Sequence, residues 1–269
     1  MTAASSMSSG ARRPVVLVIR NDDTCPPALV GEWLLEDGLE LHVIAADQGE
    51  HVPAQVPEGV DAIVPLGGVI GANDDHRAPW LEAERSLLRD AVESGVPVLG
   101  ICLGGQVLAA AMGGVVTVSD TSEVGVTEIL RTLDGLGDPV ISQAATVNGD
   151  TVPAAQWHLD HVAELPDGAV LLMTNPACRV QAFRLGESAY GLQMHPEVDV
   201  EVFTSWVADA HENVPRTAVT ASEALASVVE RQQDLIRAWR PAVRAWGELV
   251  WLRSRTLQSD RVGGDAPAR

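Results

Sequence analysis

The chain has 269 residues, a formal net charge of −19 at neutral pH, and no lysine among its 18 basic residues. That length suits one sizeable α/β core. The charge leaves no basic face for nucleic acid or an anionic membrane, and the missing lysine excludes Schiff-base or lysine-base chemistry. Three cysteines are too few, and odd in number, for a disulfide framework, which predicts a reducing compartment. The first residues are Ser, Ala and Thr with no apolar core, so 1–13 reads as a disordered start and not a signal peptide. No apolar run reaches membrane-spanning length. A soluble, cytoplasmic protein is expected.

Pro14 to Arg20 is a continuous apolar run, the mark of a strand buried on both faces. Asn21 to Pro27 breaks it as a polar turn, in which Cys25 reads as a partly exposed loop thiol. Helical spacing follows over Ala28 to Glu36, then strands at Leu39 to Ala45 and Val60 to Leu66. This alternation predicts right-handed crossovers and a parallel sheet. Gly67 and Gly68 come directly after the third strand, where backbone N–H groups can approach a ligand closely. Asn73 to His76 continues that loop as an acidic, mobile rim ahead of an amphipathic helix over Pro79 to Glu93.

Val96 to Met112 is the most informative stretch. An apolar run ends at Ile101, Cys102 follows, and an Ala/Leu/Met run reading as a helix begins behind it. Gly100 and Gly104 flank the cysteine as Gly-x-Cys-x-Gly, the thiol form of a nucleophile elbow. Such a turn places sulfur at a helix N-terminus, where free N–H groups and the helix dipole favour a thiolate. A tetrahedral oxyanion needs two preorganised donors. Leu103, the residue after the nucleophile, is placed to supply one, while the Gly67–Gly68 loop, read from its own residues alone, is a plain tight turn. Gln106 lies one turn along the helix, placed to contact a substrate amide or its α-substituents.

Beyond Gly114 the pattern becomes short and alternating: Glu123 to Arg131, Pro139 to Ile141, Val152 to Trp157, Ala169 to Thr174 and Arg179 to Arg184. These predict antiparallel strands beside the parallel sheet. His158, Asp160 and His161 lie close in sequence, but no further ligand is evident, and no metal is predicted. Cys178 reads as structural. Ser188 to His195 reads as a strand running up to the histidine and stopped by Pro196. Glu197, two positions on, falls on the same side as His195. A cysteine nucleophile needs a base and the base an orienting group, and His195 with Glu197 offers both. A helix over Val198 to His211 follows. After Pro215 come one or two helices broken near Pro241, whose tryptophans read as core or as a partner surface.

Gly100-Ile-Cys-Leu-Gly-Gly-Gln106 together with Gln193-Met-His-Pro-Glu197 resembles the class I glutamine amidotransferases. The likeness is strongest to free-standing proteins similar to the amidotransferase domain of GMP synthase, and spans roughly 14 to 210. It implies a flavodoxin-like α/β fold, mostly parallel with helices on both faces, a small antiparallel addition and C-terminal helices. It implies a Cys102–His195–Glu197 triad, a Gly68 oxyanion donor, and no cofactor. Similar enzymes carry Trp-His-Gly-Asp beside the glutamine pocket; here Leu159 replaces that glycine, in front of Asp160. Gly67, Gln106 and Asp160 are the expected substrate contacts.

The expected organisation is a start at 1–13, an amidotransferase domain at 14–214, a helical extension at 215–260 and a tail at 261–269. Three functions compete. One is a glutaminase subunit feeding ammonia to a separate synthase or ligase. Another is a stand-alone γ-glutamyl amide hydrolase using the same triad. The third is a non-catalytic binding protein of this fold. No Gly-x-x-x-x-Gly-Lys loop for ATP is present in the sequence.

Overall fold

The computed structural model describes residues 12–147, 149–210 and 216–263. The expected start, up to residue 11, and the tail from 264 lie outside the described residues, as does His211 at the end of its expected helix. Among the described residues nine strands form one sheet. Five are parallel neighbours, in the spatial order β2 (Glu40–Ala45), β1 (Val15–Arg20), β3 (Ala62–Pro65), β4 (Val98–Ile101) and β9 (Ala189–Leu192). The sheet continues antiparallel through β8 (Ala182–Leu185), β7 (Val170–Thr174), β5 (Val115–Arg131) and β6 (Thr151–Glu164).

The period-two pleat sorts each central strand onto two cores. Val16 and Val18 of β1, Ala62 and Val64 of β3, and Leu99 and Ile101 of β4 face α1 (Ala28–Glu36) and α6 (Ala221–Gly263). Leu17, Ile19, Ile63 and Val98 face the opposite way, toward α2 (Leu81–Glu93) and α3 (Leu103–Ala111). A third cluster, Val124, Ala155, Phe203 and Trp206 with Val228 and Leu235, joins α5 (Val200–Ala210) and the start of α6 to the antiparallel strands. The short α4 (Leu133–Gly137), capped by the Thr132 hydroxyl, packs against β7.

Four expectations are corrected. Pro139 to Ile141, just after α4, is not a strand. The Asp138 carboxylate accepts the N–H groups of Val140 and Ile141, both at 2.9 Å, and turns the chain into a 3₁₀ turn at Ile141–Gln143. The strand before His195 stops at Leu192; the His195 N–H then donates across to Ala155 O at 2.9 Å. The acidic rim is tied down: Arg85 donates to Ala72 O and pairs with Asp75, and no side chain caps α2. The C-terminal segment is one helix of 43 residues with Pro241 inside it. Pro241 lacks an N–H to give, and its ring faces solvent. Ala238 O, in the adjoining turn, accepts Ala145 N–H at 2.9 Å. Trp239 and Trp246, on either side of the proline, are 1% and 0% exposed in the core with α1. They are core residues and not a docking surface.

One buried group carries a pH signature. Glu84 of α2 is fully buried, with Oε1 accepting from Asn21 Nδ2 at 3.3 Å and Oε2 without a partner. Burial, only partly offset by that hydrogen bond and by Arg85, pushes its pKa up to about 8.

Two outcomes follow for stability. Trp246→Ala should cost about 3–5 kcal/mol in urea unfolding, against less than about 0.5 kcal/mol for Leu252→Ala on the exposed side of the same helix. Similar small losses for both would place the helix off the core. Between the unfolded carboxyl pKa and the folded value of about 8, the unfolded chain releases the Glu84 proton while the folded chain keeps it, so this group lowers stability as pH rises. The stability of Glu84→Gln relative to the parent should therefore grow from pH 5 to pH 8, by on the order of 1–3 kcal/mol. A difference independent of pH would show that Glu84 is ionised in the fold.

Candidate active site

The parallel half of the sheet presents its carboxyl ends on one edge, where α/β proteins of this type bind ligands. β4 and β9 are in register there, with Ile101 opposite Leu192. Cys102 N–H donates to Leu192 O at 2.8 Å, so the cysteine leaves β4 beside the point where the chain leaves β9 toward His195. Cys102 has φ +50° and ψ −108°, a backbone conformation that non-glycine residues rarely adopt. It holds because nothing stands in the way on either side: a Cβ on Gly104 would lie 2.0 Å from Pro65 O, and one on Gly100 2.7 Å from Gly104 O.

Cys102 and His195 both line a cavity of about 410 Å³ with Gly68, Gln106, Trp157 and Asp160. His195 Nδ1 lies 2.7 Å from Glu197 Oε1, both side chains being almost fully buried. Burial disfavours the imidazolium, but the charges of the Glu197 carboxylate and of Cys102 outweigh it, so the ring's pKa is raised. The Trp206 ring packs edge-on to the imidazole, centroids 4.7 Å apart, and its Nε1 donates to Thr24 O at 2.8 Å.

The other predicted residues gather at the same place. The position a Cβ would take on Gly67 is 3.1 Å from His195 Cε1 and 3.8 Å from Cys102 Cβ. The corresponding position on Gly68 is 3.1 Å from Leu103 Cδ2, so the glycine loop packs against the first residue of α3. Gln106 Nε2 is already engaged, donating to Asp160 O at 2.9 Å and Gln193 Oε1 at 3.2 Å. Leu159 does not divert the backbone: Trp157 to Asp160 stay within β6, His158 opposite Glu123 and Asp160 opposite Val118 around a bulge in β5. Asp160 is half-buried, and burial followed by the nearby Asp74 charge raises its pKa.

The sequence expectations placed a polar turn after β1 but gave it no part in the site. Asn21 Nδ2 donates to Leu66 O at 3.1 Å and Asn21 Oδ1 accepts Trp80 Nε1 at 2.8 Å, which fixes the start of the Gly67–Gly68 loop. Asp22 Oδ2 accepts Val69 N–H at 3.4 Å just past it. Cys25 is not an exposed loop thiol: it is 5% exposed and lines the cavity. A polar run at the carboxyl end of a fully buried strand was the available signal.

His158, Asp160 and His161 do not form a cluster of their own. Instead Glu123, His158 and Cys178 bring one ligand atom each within 4.8 Å. Glu123 already accepts from Asn175 at 2.6 Å and Gln181 at 2.7 Å, and lies 3.2 Å from His158 Nε2, while the Cys178 thiol donates to Val180 O. These hydrogen bonds account for the buried polar atoms there, as a closed protein network would.

Comparison with known proteins identifies a family for the chain. The family model for glutamine amidotransferase class-I matches residues 30–211. The chain is 31% identical over 173 residues to a protein of Salmonella typhimurium described as glutamine amidotransferase-like, YfeJ, covering 63% of this chain and 70% of that one. It is 34% identical over 148 residues to one subunit of the glutamine-hydrolysing GMP synthase of Natronomonas pharaonis, covering 53% of this chain and 70% of that one. The match to the GMP synthase of Clostridium novyi, 35% identical, covers 43% of this chain but only 21% of that protein. Among solved structures, a glutamine amido transferase from Methylobacillus flagellatus superposes with a TM-score of 0.76 at 28% identity, over 87% of this chain and 94% of that one. By sequence and by fold, the chain belongs to the class I glutamine amidotransferases.

Proposed function

We propose that this chain hydrolyses the side-chain amide of glutamine through a thioester on Cys102 and delivers the ammonia to a synthase or ligase on another polypeptide. The observation that carries the proposal is the convergence, on one cavity, of a strained elbow cysteine and a buried imidazole paired to Glu197 at 2.7 Å. His195 takes the Cys102 proton, and the thiolate attacks the amide carbon. The N–H groups of Leu103 and Gly68 receive the oxyanion. His195, now cationic beside Glu197, returns its proton to the leaving ammonia. Water activated by the neutral ring then frees glutamate. Glu197 fixes the tautomer and stabilises the imidazolium. Asp160 and Gly67 contact the amino-acid end of the substrate, and Gln106 shapes the pocket floor. No step calls for a metal or cofactor. The GMP synthase relative of Natronomonas pharaonis supports a separate partner, since its name is that of one subunit of a synthase.

A second reading, a stand-alone γ-glutamyl amide hydrolase, is favoured by the cavity itself. Its volume of about 410 Å³ falls in the range of sites for drug-sized ligands, more than glutamine alone needs. Steady-state release of glutamate from glutamine and from a panel of γ-glutamyl amides separates the two. The first reading expects slow turnover of glutamine with no amide better. One amide turning over at about 10 s⁻¹, a typical unaided rate, with glutamine poor, would favour the hydrolase. In either case His195→Ala should lower kcat by about 10²–10⁴, and Glu197→Gln should leave a larger residual rate. Full activity in both variants would place the base elsewhere.

A further inference from the structure

Two thiols, not one, border the catalytic space. Cys25 and Cys102 are 5% and 7% exposed and line the same cavity. Around the position a Cβ would occupy on Gly67, Cys25 Sγ lies at 3.5 Å, Cys102 Cβ at 3.8 Å and His195 Cε1 at 3.1 Å. These three groups surround the space that a side chain at residue 67 would fill. We propose that Cys25 is the resolving thiol of a peroxide-sensitive pair, closing a reversible disulfide with Cys102 that shields the nucleophile from irreversible oxidation. The proposal rests on Cys102 being the reactive thiol assigned above.

The two sulfurs are suited to unequal roles. Cys25 is raised in pKa by burial first, then by the charges of Glu197, Asp22 and Cys102, so it stays protonated and does not compete for oxidant. Its polar contact is weak, the Thr24 hydroxyl at 3.9 Å. Cys178 differs: it sits in the Glu123 network with its thiol donated to Val180 O, and does not line the cavity.

The chemistry balances with hydrogen peroxide as oxidant. The Cys102 thiolate attacks one peroxide oxygen, an S–O bond forms, the O–O bond breaks, and the sulfur gives up two electrons. The departing hydroxide takes the His195 proton and leaves as water. The sulfenic acid on Cys102 is neutral, which removes one of the charges that kept Cys25 protonated, and the now neutral His195 can accept the Cys25 proton. The Cys25 sulfur attacks the Cys102 sulfur, an S–S bond forms, the S–O bond breaks, and the departing hydroxide takes the proton back from His195 and leaves as a second water. A dithiol reductant reopens the bond by exchange.

The test treats the full chain with a slight excess of hydrogen peroxide, followed by intact-mass and non-reducing peptide mapping and by glutamine turnover before and after dithiothreitol. The expected result is loss of two hydrogens, a Cys25–Cys102 cross-link, and loss of turnover that dithiothreitol restores. Cys178→Ser should cross-link as the parent does. Cys25→Ser and Cys25→Ala should instead accumulate sulfinic acid on Cys102, with a loss that dithiothreitol does not restore. Sulfinic acid on Cys102 of the parent with Cys25 free, or a cross-link to Cys178, overturns the proposal, and the parent map decides this even if a Cys25 variant does not fold. The cross-link is read by mass and turnover by product, so the two assignments fail separately. A chain that turns over glutamine but never cross-links sinks only the resolving thiol. One that cross-links but turns over no glutamine sinks only the glutaminase.

Discussion

The site depends on how closely the start of α3 can approach the end of β3. Gly104 lies so near the Pro65 carbonyl that any side chain would collide with it, and Gly100 is closed in by the same turn. This contact lets the chain reverse within one residue, at Cys102, and accept a positive φ there. The cost of such a conformation is of order 1–3 kcal/mol, tolerable only where the surroundings over-determine it. Here they do, through the Cys102 N–H bond to Leu192 O and the burial of α3 on nearly every side. The same bond ties the elbow to β9, so the cysteine and the histidine are positioned by one pair of strands in register.

Around that core the support is layered. Glu197 fixes one ring nitrogen of His195, and Trp206 closes over the ring from α5. Trp206 packs at a tilt against Phe203 and Trp157, which links the histidine to β6 and the cavity wall. Asn21 and Asp22 hold the two ends of the glycine loop. The acidic character of the chain reaches the cavity as well, where Asp160 and Asp209 contribute to its lining. α6 lies on the face of the sheet opposite α2 and α3, packed against α1, β5 and β6, with Trp239 and Trp246 buried in that core.

Much of this was legible in the sequence, for identifiable reasons. Apolar runs such as Val15 to Ile19 signal a doubly buried strand because both faces must be covered. The elbow is legible because sterics allow so few residues around Cys102. What was not legible depended on contacts between distant segments. Cys25 looked like a loop thiol because its cover comes from elements such as α5, far along the chain. Pro241 looked like a helix break because the tertiary packing that carries α6 past it cannot be read from propensity. Pro139 to Ile141 had strand-like composition, but the Asp138 carboxylate offers the backbone a nearer partner.

The central claim is that Cys102 carries the acyl group. Its most direct measurement is acid quenching of the full chain during turnover of isotopically labelled glutamine, followed by peptide mass mapping. The account predicts a glutamyl thioester on the Cys102 peptide, removed by hydroxylamine as the γ-glutamyl hydroxamate. Label on Cys25 or Cys178 with Cys102 unmodified, or steady turnover in a Cys102→Ser variant, would contradict it.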